Sequence, residues 1–316
     1  MQTTEPIRIL TWWWGQPGGR TLYTKDHVLI WRDMLRRNLT IPHTIACVTD
    51  LVDELEGVEV IAPPQDFADV RIPTWGPEKP QCLRRIAMFA PDAGKVFGER
   101  FVCMDMDSVI AGNLDDLFTR TEDIVLYASP KGRTYNPRPY NGSMLMMTAG
   151  ARPEVYTRFT PEGAREAGAL YVGSDQAWIS HVLGPDEATW SEEDGVVWWR
   201  RPQPGQRLMF FPGSPKPWEV AEAGTDVWVE KHYHRSPRGR ALILGYAPTV
   251  WDDAQEAMKT GPFDFVITSP EAAAHWPRPA DRIAKNDDHA IRLARLHGFT
   301  EFTFCGAQER RATCSA

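Results

Sequence analysis

The sequence predicts an α/β protein built on a mostly parallel sheet, with a smaller α/β unit behind it. Three observations carry this reading. The chain opens as strand, helix, strand, strand; its apolar strands end in polar tips; and its tail alternates three strand-like runs with two helical ones. A length of 316 residues suits one large domain plus a small one. The boundary is placed where composition shifts, giving domains 1–235 and 236–316.

The first strand is RILTWWW (8–14), followed by the glycine-rich turn GQPGGR. Val28, Trp31, Leu35 and Leu39 then recur at helical spacing and predict an amphipathic helix. HTIACVTD and VEVIAPP read as the second and third strands. After the proline-rich loop IPTWGPEKPQ, CLRRIAMFA predicts a helix and RFVCMDMDSVI one further strand. NLDDLF starts a helical turn with Asn113 as its N-cap. DIVLYASP and SMLMMTAG are strands, DQAWISHVL a helix, and VVWWRRP and RLMFF later strands. In the tail, RALILGYAP, FDFVITSP and FTEFTFCG are strands. Between them lie a helix closed by Gly261 and the helix DDHAIRLARLHG, stopped by Gly298. The tail resembles half a Rossmann-type domain.

Composition excludes several classes. A net charge of −7 gives no global footprint for binding nucleic acid or an anionic membrane. The basic stretch KHYHRSPRGR (231–240) is the exception and reads as a solvated linker, with contact to an anionic acceptor, even a nucleic acid, as the alternative. Five scattered cysteines without C-x-x-C spacing favour a reducing compartment and no cysteine metal site. MQTTEPIRIL lacks the pattern of a signal peptide and no run is long enough for a membrane span, so the expected location is cytoplasmic.

The informative anomaly is RFVCMDMDSVI. Asp105 and Asp107 interrupt an apolar run, where an unpartnered carboxylate costs several kcal/mol if buried. At the carboxyl end of a strand they fall where ligands of open α/β sheets collect, and alternation puts both on one face. Two oxygen ligands side by side suit a hard cation such as Mg²⁺ or Mn²⁺, with water or a diphosphate completing the shell.

Further segments follow in order: VCMDMDSVIAGNLDDLF (102–118), YNGSMLMM (140–147), GSDQAWIS (173–180) and FFPGSPKPW (210–218), with EKPQCLRR (78–85) ahead of them. Over roughly residues 7 to 220 the chain thereby resembles the family-8 glycosyltransferases, the group of glycogenin and bacterial galactosyl- and glucosyltransferases, which have the GT-A fold. The resemblance implies a nucleotide-sugar donor, a UDP-hexose being expected, transfer with retention of configuration, and Mn²⁺ or Mg²⁺ as cofactor. It implies that Asp105 and Asp107 hold the metal on the diphosphate, with Met106 between them at the donor. Asn141, Gly142 and Asp175 are placed at the sugar and Gln176 beneath the anomeric carbon. Gly213 and Lys216 are placed at the diphosphate, Thr11 and Tyr23 near base and ribose, and Lys79 and Arg84 at phosphates or sugar. Retention leaves two routes open, with Asp175 as nucleophile or with front-face attack assisted by Gln176. The family's metal-ligating histidine is replaced by Phe210, which predicts weaker metal binding; His232 and His234 are substitutes on chain proximity.

Two other readings were weighed. GQPGGRTLYTK (15–25) echoes the phosphate loop of sugar-phosphate nucleotidyltransferases in scrambled order. The tryptophan-rich TWWWG and VVWWRR would suit a non-catalytic sugar-binding protein, which leaves the ordered acidic motifs unexplained.

Overall fold

Parallel strands buried on both faces read as continuous apolar runs, and the first two strands do so. In the computed structural model they are β1 (Ile7–Trp12) and β2 (His43–Val48), paired in parallel with Ile9 opposite Ile45. The structure describes residues 6–15, 23–76, 79, 81–129, 138–199, 204–244, 263–273, 280–305 and 311–313. It divides into two compact units, 1–212 and 213–316, so residues 213–235 fall with the tail.

In the first unit, α1 (Lys25–Asn38) buries Val28, Trp31 and Leu35, as its spacing requires. β3 (Glu59–Ile61) follows β2 in parallel. α2 (Gly94–Phe97) leads into β4 (Arg100–Met104), parallel to β1 with Leu10 opposite Cys103. β5 (Ser108–Ile110), α3 (Asp115–Phe118), β6 (Ile124–Ala128) and β7 (Tyr140–Thr148) come next. Then come α4 (Glu154–Thr157), α5 (Pro161–Tyr171) and α6 (Asp175–Leu183). β8 (Thr189–Trp190), β9 (Val196–Trp198) and β10 (Leu208–Phe210) complete the unit.

The main sheet has seven strands in the order β3-β2-β1-β4-β7-β6-β8, with β7 antiparallel to both its neighbours and the other pairs parallel. This is the mostly parallel α/β architecture that the sequence predicts. One core face joins Leu10, Cys103 and Leu145 with Ile86, Phe89 and Trp178.

Two expectations are corrected. CLRRIAMFA forms a 3₁₀ helix over Leu83–Phe89 rather than an α-helix. Leu83, Ile86 and Phe89 line one buried row, because residues three apart eclipse in that geometry. RFVCMDMDSVI is not one strand. It breaks after Met104, and β5 joins a separate three-stranded sheet, β5-β10-β9.

In the second unit, α7 (Pro217–Ala223) and α8 (Val227–His232) precede β11 (Arg240–Leu244), β12 (Phe265–Thr268) and α9 (Pro270–Ala273). β13 (Arg282–Ile283), α10 (Asp287–Leu296), β14 (Glu301–Cys305) and β15 (Arg311–Thr313) follow. The sheet runs β13-β12-β11-β14-β15, parallel except for β15. The helix expected before Gly261 lies outside the described residues. Asn286 caps α10 by accepting from His289 N at 2.9 Å, and Gly298 ends it at φ 84°, where a Cβ would meet the Ser236 carbonyl at 2.3 Å.

The basic stretch is not a solvated linker. Arg235 is buried and its N–H donates to Leu296 O at 2.9 Å. Arg238 donates to His297 O at 2.9 Å and lies 4.8 Å over the Phe299 ring. The Arg238 guanidinium and the Arg235 backbone are thus engaged in the fold of their own unit. Among the described residues, no helix is long and apolar enough to cross a membrane.

Candidate active site

The break after Met104 is what brings the acidic pair into one place. Residues 105–107 form a turn, not a strand, so the expected alternation is not the reason for their proximity. Three hydrogen bonds fix the turn. Asp105 N donates to Ser143 O at 2.8 Å, Ser108 Oγ to Asp105 O at 3.0 Å, and Phe211 N to Asp107 O at 2.9 Å. The turn thus hangs between β7 and the end of β10, with Met106 buried in it.

Around this turn, one side chain ties the pieces together. Arg85, only 5% exposed, donates from Nη1 to Asp105 Oδ1 at 3.0 Å and from Nη2 to Gly142 O at 2.6 Å. Its Nε lies 3.4 Å from Asp175 Oδ2. Ser174 precedes α6, accepts from Cys82 N at 3.1 Å and donates to Asp175 Oδ1 at 3.3 Å. Gln176 Oε1 accepts from Gly142 N at 3.1 Å. Both backbone groups of Gly142 are therefore engaged, and a Cβ there would press on Gln176 Cβ at 3.4 Å. Asn141 is buried beside it and accepts from Ser143 N at 2.8 Å. Arg85 thus joins Asp105, Gly142 and Asp175, with Gln176 bound to Gly142 and Asp107 two residues along the turn.

Arg85 was absent from the sequence reading, which took its neighbour Arg84. The spacing does not single it out: in a 3₁₀ turn Arg85 shares a row with Met88 and Arg84 one with Ala87, and both apolar residues are buried.

Electrostatics mark the same place. Burial pushes the Asp105 carboxyl up to about 6; Arg85 opposes the shift, while Asp107 and Asp175 add to it. Three carboxylates, Asp105, Asp107 and Asp175, thus act in this place with one guanidinium. Tyr23 donates its hydroxyl to Asp107 Oδ2 at 3.1 Å. Burial first, then the Asp107 and Asp105 charges, push this phenol well above its usual range, so it stays a donor.

The other expected residues are placed as follows. Thr11 is fully buried, and its hydroxyl has no hydrogen-bond partner. The Lys79 ammonium sits 4.6 Å over the Trp75 ring. Arg84 reaches Trp14, Asp50 and Gln65 rather than the acidic pair. Gly213 (φ 88°) and Lys216 lie in the second unit, where buried Lys216 precedes α7 and its N–H donates to Glu219 Oε2 at 2.6 Å. His232 ends α8 beside Trp228, and His234 Nδ1 lies 2.7 Å from Arg235 O. Residues 16–22 of the glycine-rich segment, and residues 245–253, are outside the described residues.

Among the described residues no group of three or more His, Cys, Asp or Glu side chains could hold a metal. Phe210 is buried in β10 with its ring 5.4 Å from that of Tyr127, an apolar environment. The donor set near the turn is two carboxylates, all oxygen, with surplus negative charge. That set fits a hard divalent ion whose remaining ligands are water and phosphate oxygens.

The NLDDLF segment proves to be scaffold. Leu114, not Asn113, is the N-cap residue of α3, while Asn113 Oδ1 accepts from Asp115 N at 2.9 Å. Asp115 accepts from Thr40 N at 2.8 Å, the Thr40 hydroxyl and Asn113 Nδ2, pinning α3 to the loop between α1 and β2. Asp116 pairs with both Arg207 Nη atoms beside β10. Burial pushes the Asp115 carboxyl up, but the bonds from Thr40, Asn113 and Ile41 outweigh it and bring it to about 2. A folded-state pKa below the unfolded value of about 3.9 gives stability that is complete above about pH 4 and lost as pH falls through 2. Asp115→Asn is therefore expected to lower the urea midpoint at pH 7 and to flatten its decline between about pH 4 and 2. An unchanged pH profile would contradict this.

No protein-family model matches the chain, and no curated protein matches it. Solved structures similar to it are glycosyltransferases. The galactosyltransferase LgtC in complex with donor and acceptor sugar analogs is 10% identical, with 67% of this chain and 89% of that chain covered and a TM-score of 0.46. An active-site mutant of LgtC is 9% identical, with 71% and 93% covered and a TM-score of 0.48. The apo form of the glycosyltransferase GlyE of Streptococcus pneumoniae is 10% identical, with 96% and 81% covered and a TM-score of 0.46.

Proposed function

We propose that the chain is a glycosyltransferase that moves a hexose from a nucleotide sugar, a UDP-sugar being the expected donor, to an acceptor, in the cytoplasm and with retention of configuration. The observation that carries this is that one buried side chain, Arg85, joins an acidic turn at the end of β4 to the start of α6 and to the Gly142 backbone. Such a cluster is costly unless a ligand uses it, because charges are gathered where the fold alone does not need them.

Asp105 and Asp107 would hold a divalent ion, which when bound supplies positive charge to the departing diphosphate. The remaining work belongs to the chain. Tyr23 orients the Asp107 carboxylate through its hydroxyl. Arg85 Nε, 3.4 Å from Asp175 Oδ2, holds that carboxylate at the start of α6, where it would serve the sugar. The Gln176 side chain is fixed by Gly142 N, leaving its amide nitrogen for the reacting face.

The test is a panel of nucleotide sugars in a thermal-shift assay with and without Mn²⁺, followed by donor hydrolysis. A true donor raises the melting temperature through mass action, and more so with the cation. If no nucleotide sugar shifts it and none is hydrolysed, the reading fails.

A further inference from the structure

Asp175 and Gln176 open α6, and the chain reaches them through an unfavourable backbone. α5 ends at Tyr171, and the next residue, Val172, sits at φ 52° and ψ 93°. Among the described residues three non-glycines take positive φ, Phe67, Arg152 and Val172, and only Val172 is β-branched. A branched Cβ crowds the backbone in that region, where glycine is the usual end of a helix. Such residues persist only where their surroundings over-determine them, and they cluster at functional sites. Here the surroundings are specific. Val172 N donates to Gly168 O at 3.0 Å, and Val172 O accepts from Arg138 Nη1 at 3.1 Å. Arg138 is itself buried and donates from Nε to Tyr140 O at 3.1 Å, at the start of β7.

We infer that Arg138 is a positioning residue for the transfer reaction: through the Val172 carbonyl it holds the strained turn 172–174 so that Asp175 and Gln176 meet the donor sugar. This rests on the proposed nucleotide-sugar reading of the site and adds what sets the aim of two of its residues. The route is through the backbone, and β7 anchors it at both ends. Arg138 leads into β7 and grips the turn from one side. Beyond the turn, Gly142 of the same strand donates to Gln176 Oε1 at 3.1 Å. Between these anchors the chain has little room. A Cβ on Gly173 would press on Gln176 Cγ and Nε2 at 3.0 Å, and one on Gly168 would meet Gly173 O at 3.0 Å. Without the guanidinium, strain is released by rotation at Val172, which swings its carbonyl away and turns the start of α6 with it. A misplacement of about 1 Å at a reacting centre costs on the order of a hundredfold in rate.

Kinetics of donor hydrolysis, paired with urea denaturation, test this on the whole chain, with UDP-, GDP- and ADP-hexoses as donors and Mn²⁺ present. Arg138→Met is expected to lower kcat by about ten- to a hundredfold while KM changes less than about threefold, because the aim matters in the transition state more than in ground-state binding. Val172→Gly removes the strain that Arg138 restrains. Added to Arg138→Met, it should recover at least about fivefold in kcat, a coupling that loss of stability alone does not produce. Arg138→Lys, which can keep a single hydrogen bond, should fall between wild type and Arg138→Met, and it carries the same comparison if Arg138→Met does not fold. An unchanged kcat in folded Arg138 variants, or a loss that Val172→Gly does not reverse, overturns the inference. A wild type that hydrolyses none of the donors removes the nucleotide-sugar reading itself, and this inference with it.

Discussion

Arg85→Ala is expected to abolish measurable transfer and to destabilise the first unit by about 3–5 kcal/mol, the usual cost of removing one partner from a buried ionic cluster. The substitution strips Asp105 Oδ1 and Gly142 O of their donors and leaves Asp175, whose side chain is 6% exposed, without its cation. Arg85→Lys keeps the charge but donates from a single nitrogen, without the planar fork whose three nitrogens face Asp105, Gly142 and Asp175, so it should recover part of the stability and little of the activity. Urea denaturation separates the two effects, with hydrolysis of the donor measured where both variants are folded. An Arg85→Ala protein as stable and as active as the wild type would remove Arg85 from the centre of the account.

Asp107→Ala is expected to cut turnover by a factor of about 10³ while changing stability little, since the loss falls on charge stabilisation of the leaving diphosphate. Asp107→Asn is the sharper variant. It preserves an oxygen acceptor for the Tyr23 hydroxyl and the backbone bond from Phe211 N, so the turn should keep its shape. If turnover depends on the carboxylate charge, both variants lose activity together and both weaken Mn²⁺ binding measured by electron paramagnetic resonance. Should Asp107→Asn retain full activity, the carboxylate serves only as an acceptor for Tyr23.

The elements that the sequence reveals are those whose burial pattern is local. Val28, Trp31 and Leu35 announce α1, and the apolar runs announce β1, β2, β4, β6 and β7, because each periodicity reports one face turned to the core. The acidic pair was legible for the opposite reason, as charge where a core strand should continue. What was not legible depends on partners distant in the chain. The turn at 105–107 closes on Ser143 and Phe211, and no local pattern reports those contacts. The choice between Arg84 and Arg85 depends on partners distant in the chain, Asp105, Gly142 and Asp175 for Arg85 and Trp14, Asp50 and Gln65 for Arg84. The basic stretch read as solvated because its charge is visible in sequence, whereas the His297 carbonyl and Phe299 ring that meet the Arg238 guanidinium, and the Leu296 carbonyl that takes the Arg235 backbone N–H, are about sixty residues away. Likewise Asp115 and Asp116 belong to a recognisable acidic motif, but their partners Thr40 and Arg207 show them to be anchors of the scaffold.

The most direct measurement is a crystal structure of the chain grown with Mn²⁺ and uridine diphosphate, read through the manganese anomalous signal. A cation peak bridging the Asp105 and Asp107 side chains, with phosphate oxygens completing its shell, is the predicted result. Nucleotide found elsewhere on the protein, or bound with no anomalous peak at that turn, would contradict it.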